Sequence, residues 1–220
     1  RAGRLAAAAL GAGVEVQQVL PGELEDLGNA EPASLLKHHP RHRPDEIEAA
    51  EEAVGDGSED VHVLAEGQVI ELDKHHEVIS SGWSNHTPWH TYREENEDQL
   101  ERRYNAMIGQ LKHPKNAVFN IHVPPYASNL DEAPELDENL RPKNAGNALK
   151  PVGSTALRAA IEEHQPLLGL HGHIHEGRGS SRIGRTLCIN PGSMYEQGTL
   201  LGALVKLGRD KIENYVLTQG

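Results

Sequence analysis

From residue 62 onward, short apolar runs alternate with polar turns in a way that the first sixty residues do not show. Residues 62–64, 68–72 and 77–80 read as short strands, with Gly67 turning the chain between the first two. Residues 94–111 carry Leu100, Tyr104, Met107 and Leu111 at helical spacing and predict an amphipathic helix. Residues 117–123 form an apolar strand ended by Pro124-Pro125, since proline donates no ladder hydrogen bond. The span 126–150 is rich in Asn, Pro and acidic residues and reads as one long loop. A helix over 154–164, capped by Ser154 or Thr155, precedes the apolar strand 167–170, and 186–190 is another strand. Two closing strands, 201–207 and 211–217, are joined as a hairpin at Gly208-Arg209-Asp210.

The amino-terminal part is less patterned. Residues 1–11 are rich in Ala and Leu and read as the end of a helix stopped by Gly11 and Gly13. Residues 14–20 read as a strand, 37–44 as a basic, His-rich loop, and 45–54 as a polar helix capped by Asp45. Helix-then-strand units among strand pairs predict an α/β layered fold in a single domain spanning 1–220.

Composition narrows the classes of function. With 33 acidic against 21 basic side chains, the formal charge of −12 disfavours binding of a nucleic-acid backbone, which needs clustered Lys and Arg. No run approaches the roughly 18–20 apolar residues of a membrane-spanning helix, so no membrane partner is expected. The single cysteine, Cys188, forbids an internal disulfide and fits a reducing, cytoplasmic setting.

Fourteen histidines are a high count, and their placement matters. In His171-Gly172-His173-Ile174-His175, an extended backbone would send His173 and His175 to one side, at the carboxyl end of an apolar strand. Ligands of open α/β sheets gather at that end, and imidazole is a common nitrogen donor to divalent metals. His171 reads as a core residue. His122, in Asn120-Ile121-His122-Val123-Pro124-Pro125, stands at the same kind of strand end, and Asn190-Pro191-Gly192-Ser193 turns straight after a strand. Trp83 and Trp89 read either as a hydrophobic plug or as a substrate-facing wall, and Arg178, Arg182 and Arg185 offer cations near the His motif.

In this order, His-x-Pro-Pro, Gly-His-x-His and Asn-Pro-Gly-Ser closely resemble the calcineurin-like metallophosphoesterases. The resemblance runs from about residue 77 to the carboxyl end, strongest in LHGHIHEGRGSSRIGRTLCINPGS and also present in SSGWSNHTPWH. It implies an αββα β-sandwich flanked by helices, holding two divalent metal ions about 3.5–4 Å apart. Manganese is the expected metal, with Fe, Zn, Ni or Mg as alternatives. The implied reaction is hydrolysis of a small-molecule phosphomonoester or phosphodiester by metal-activated water. By the same resemblance His122, His173 and His175 are metal ligands and carry the catalysis. Asn85, in the segment with the two tryptophans, and Arg178, just after the His motif, are the substrate-binding candidates. The alternatives are a non-catalytic relative acting as a binding or scaffold module, and a hydrolase with one metal on the three histidines.

The family's first three motifs supply carboxylates and an Asn. Asp60-Val61-His62 and Gly55-Asp56 have the right letters but lack a preceding apolar strand. Gly28-Asn29-Ala30-Glu31 fits the third motif better and makes Asn29 a candidate ligand, although Ala30 replaces the usual His. The expectation is a chain that starts late, at Arg1, within the family's domain.

Overall fold

The computed structural model describes residues 66–220 in full and the backbone of 4–10 and 13–19, all in one compact unit. In chain order the strands are β1 (Arg4–Leu10), β2 (Gly13–Val19), β3 (Val69–Glu71), β4 (Glu77–Ser81), β5 (Ser84–Asn85) and β6 (Glu94–Glu95). Helix α1 (Glu97–Ile108) precedes β7 (Val118–Ile121), β8 (Glu132–Pro134) and β9 (Leu149–Pro151), and α2 (Thr155–His164) follows. The chain closes with β10 (Leu168–Leu170), β11 (Gly179–Ile183), β12 (Thr186–Asn190), β13 (Leu201–Leu207) and β14 (Ile212–Gln219).

The main sheet has the order β11-β12-β10-β7-β4-β3. Its four central strands are parallel and its two edge strands antiparallel. In register, Val78, Val118, Leu168 and Leu187 line up across the sheet, one residue before Ile79, Phe119, Gly169 and Cys188. Period-2 alternation sends the two rows to opposite faces. The first row packs with Ala203, Val205 and Leu207 of β13, in a second, antiparallel sheet ordered β14-β13-β1-β2. The second row packs against Leu100, Tyr104 and Met107 of α1 and Leu157 and Ile161 of α2. Complete burial of each such aliphatic side chain contributes about 1.5–3 kcal/mol.

The chain is therefore a mixed α/β protein with helices on one face of the main sheet and a second sheet on the other. A second helical layer is not found among the described residues. Nor is any helix among them long and apolar enough to cross a membrane.

Four local expectations need correction. Residues 4–10 form β1, which pairs with β13 and β2, where a helix end was expected. Alanine's helix propensity is a weak prior, and a ladder on both sides overrides it. Span 126–150 is not one loop, because β8 and β9 pair within it. Helix α1 begins at Glu97 and not at residue 94, because Asn96 and Gln99 form a reciprocal capping box. Strand β11 was not expected, since Gly-Ser-Ser-Arg-Ile has almost no apolar pattern and is held by its pairing with β12. The expected strand 62–64, the helix 45–54 and the basic loop 37–44 lie outside the described residues.

Candidate functional site

The carboxyl ends of β4, β7 and β10 converge on His122. Its backbone N–H donates to Ser81 O at 2.8 Å, and its carbonyl accepts from Gly172 N at 2.8 Å. The parallel ladder thus continues one residue past the strands and fixes His122 against the His motif. His122 and His173 meet edge to face, with ring centroids 5.1 Å apart. His122 Nδ1 is shielded from solvent and has no hydrogen-bond partner among the described residues.

The His motif is not extended. The strand ends at Leu170, and His171 N still donates to Ile189 O at 2.8 Å. His173 then adopts φ 62°, a left-handed conformation that a residue with a side chain rarely takes. Ile174 N closes a tight turn on Gly172 O at 2.6 Å. The simple alternation expected for His173 and His175 is therefore replaced by a bend that turns His173 toward His122. His175 lies on the exposed side, edge-on to Tyr195 at 5.6 Å.

His171 points the other way and is fully buried. Its Nδ1–H donates to Ile121 O at 3.0 Å. Gly169 makes room for it, since a Cβ there would stand 2.6 Å from His171 Nε2.

Asn190 and Gly192 hold the motif from beneath. Asn190 Nδ2 donates to Gly172 O (3.1 Å), Ile174 O (2.9 Å) and Leu130 O (3.2 Å), while its Oδ1 accepts from Gly192 N at 2.8 Å. Gly192 has φ 73°, and a Cβ there would lie 2.9 Å from His175 O. Ser193 N donates to that same carbonyl at 3.2 Å.

His122, His171 and His173 are biased toward the neutral form. Burial pushes His122 down to about 3, helped by His173, His175, Arg93 and His171. Burial brings His171 to about 4 against the pull of the Ile121 carbonyl. Burial and His175 also lower His173, with Glu94 opposing. Neutral imidazole keeps a lone pair for a metal. Cys188 is no competing nucleophile, since burial raises its thiol to about 12.

A loop between β4 and α1 forms one wall. Its anchor is Glu94, whose side chain is 4% exposed. Glu94 accepts from Thr87 N (2.9 Å), Thr87 Oγ1 (2.6 Å), Thr91 N (2.7 Å) and Thr91 Oγ1 (2.6 Å). Burial would raise this carboxyl, and those hydrogen bonds overcome it, bringing it to about 2. Apolar spacing alone places Glu94 inside a helix, whereas the Asn96-x-x-Gln99 box is the signal in the sequence that it lies outside.

Other predicted residues are engaged with backbone. Asn85 Nδ2 donates to Val152 O and Gly153 O at 3.1 and 3.3 Å, tying the wall to the turn before α2. Arg178 donates to Pro191 O at 2.7 Å and Thr218 O at 3.3 Å. Arg185 reaches Lys115 O and Asp210 O, and Arg182 reaches Arg185 O. Trp83 packs on the core under the Arg103 guanidinium, while Trp89 is 62% exposed. Asn29 lies outside the described residues. Among the described residues no group of three or more His, Cys, Asp or Glu is arranged to hold a metal ion.

No family model matches the chain. A curated protein of Methanocaldococcus jannaschii, Uncharacterized protein MJ1162, is 33% identical over 115 residues, covering 51% of this chain and 46% of that protein. The chain spans about half the length of this curated relative. Among solved structures, TT1561 of Thermus thermophilus aligns over 71% of this chain and 57% of that one, at 20% identity and a TM-score of 0.42. The Thermus thermophilus sulfate thiohydrolase SoxB in complex with glycerol aligns over 69% of this chain and 24% of that one, at 15% identity and a TM-score of 0.35.

Proposed function

We propose that the protein is a metal-dependent phosphoesterase acting on a small-molecule phosphate ester, with His122, His173 and His175 as the histidine share of a site for two divalent ions. The observation that carries this reading is the buried His122 Nδ1, which has no partner among the described residues and belongs to a ring 5.1 Å from that of His173. A buried nitrogen left without a partner is costly, by about 1–3 kcal/mol, unless something else occupies it. Two neutral imidazoles at the carboxyl ends of parallel strands are a donor set suited to manganese, iron or zinc.

The protein's own contribution is positioning. His122 is held by Ser81 O and Gly172 N, and His173 by the Asn190 clasp on both flanking carbonyls. His175 is held at its carbonyl by Ser193 N. When bound, the metals would supply water of lowered pKa and positive charge for the phosphoryl oxygens. The carboxylates that normally balance such ions are expected from outside the described residues, Asn29 being a candidate ligand from the same region.

One observation favours a second reading, a binding module without turnover: the described histidines do not close into a three-ligand group. The two readings separate on metal content and turnover. Protein purified in manganese should carry close to two ions per chain by elemental analysis and hydrolyse bis-p-nitrophenyl or p-nitrophenyl phosphate. His173→Ala should lose metal while remaining folded. Full metal loading without hydrolysis of any ester would select the binding module, and unchanged metal in His173→Ala would remove His173 from the ligand set.

A further inference from the structure

Arg93 folds back over Gly82, the residue after β4 and next to Ser81, whose carbonyl holds His122, and it has no part in the positioning described above. Its backbone has φ 76°, a conformation that few residues other than glycine adopt. The neighbouring pairing holds it there: Ser84 N donates to Arg93 O at 3.0 Å, and Ser84 pairs with Glu94. The bend returns the guanidinium toward the end of β4. Gly82 leaves the space, since a Cβ on it would stand 2.6 Å from Arg93 Nη1.

The guanidinium is poorly satisfied. Among the described residues its partner is Glu66 Oε2, at 3.5 Å, the outer limit of a hydrogen bond. That oxygen already accepts from Gly82 N at 2.7 Å. Arginine carries five N–H donors in a rigid fork, so most of them remain for a ligand. The side chain is 35% exposed and lies over Gly82, the neighbour of Ser81, whose carbonyl accepts from His122 N at 2.8 Å. Glu66 offsets part of this charge through a single oxygen at the hydrogen-bond limit, which leaves the rest of the fork able to take a second anion.

We propose that Arg93 is the anion-binding residue of the site, donating to a non-bridging oxygen of the substrate's phosphate group. The inference rests on the phosphoesterase reading and adds to it the residue that recognises the phosphoryl group. Guanidinium matches phosphate oxygens in a paired, charge-assisted geometry. A left-handed backbone retained by a residue with a side chain is the kind of strain kept where it aims a functional group.

Titration calorimetry of inorganic phosphate into manganese-loaded protein tests this, with metal content and melting temperature measured alongside. Arg93→Gln should weaken phosphate binding by about tenfold or more with metal content unchanged. Affinity within about twofold of wild type would overturn the assignment while leaving the phosphoesterase reading intact. A parallel loss of metal would assign Arg93 to holding the wall and also overturn it. Wild-type protein that binds metal but no phosphate would overturn both. Should Arg93→Gln fail to fold, Arg93→Lys serves: it keeps the charge and loses the fork, so affinity reduced about threefold or more supports the assignment and unchanged affinity rejects it.

Discussion

Asn190 donates to the carbonyl of Ile174 at 2.9 Å and to that of Gly172 at 3.1 Å, so one carboxamide grips the carbonyls of the two residues on either side of His173. The strained turn at His173 is held by a residue seventeen positions later in the chain. The clasp is completely buried, and its loss would take a donor from Leu130 O and leave Gly172 O and Ile174 O to their local turn donors, Ile174 N and Gly177 N. Asn190→Ala should destabilise the fold by about 2–4 kcal/mol in urea unfolding. Asn190→Asp should be at least as harmful, because it turns an acceptor toward carbonyl oxygens. Wild-type stability in both variants would refute the clasp.

Gly169 and His171 share one space. Gly169→Ala would bring its Cβ to 2.6 Å from His171 Nε2 and should cost about 1–3 kcal/mol through overpacking. In a His171→Ala background the same change should cost clearly less, with the 3.2 Å approach to Cys188 Sγ left as the close contact at that Cβ. The double-mutant cycle measures the coupling, and additive effects would show that the two do not contend for the same volume.

The buried histidines make stability pH-dependent. His171 titrates near 4 in the folded chain against an ordinary value of about 6.5 when unfolded. Between those values the unfolded chain binds the extra proton, so stability should fall as pH drops from about 6.5 and level off near 4. The loss attributable to His171 is roughly 3 kcal/mol across that window. Urea midpoints of metal-free protein at pH 7, 6 and 5 should decline, and His171→Asn should flatten the decline. A wild-type midpoint constant from pH 7 to 5 would contradict the buried, neutral assignment.

Glu94 organises the wall that carries Arg93. Glu94→Gln places an amide hydrogen where Thr87 and Thr91 donors now point. Amide exchange at Thr87 and Thr91 should accelerate by about 10–100-fold, while exchange in α1 stays unchanged. Equal protection in both proteins would mean that the loop does not depend on this carboxylate.

Elements whose side chains face a core were readable from residue order. Strands β4, β7, β10, β12 and β13 and helix α2 fall within a residue or two of their expected limits, because apolar periodicity reflects burial directly. Strands β1 and β11 were not legible. Their backbones are held by ladders to β13 and β12, and no local pattern encodes a partner elsewhere in the chain.

The site divides along the same line. Strand-end positions for His122 and the His motif follow from the apolar runs that precede them, and the need for Gly and Asn in Asn190-Pro191-Gly192 is a property of tight turns. Nothing in residue order says that His173 bends back toward His122, that Asn190 holds that bend, or that Glu94 anchors a wall and Arg93 folds back over Gly82. Those facts arise when β4, β7 and β10 come together in parallel, because long-range hydrogen bonds and the electrostatics of a shared, poorly solvated space exist only between residues the fold has made neighbours.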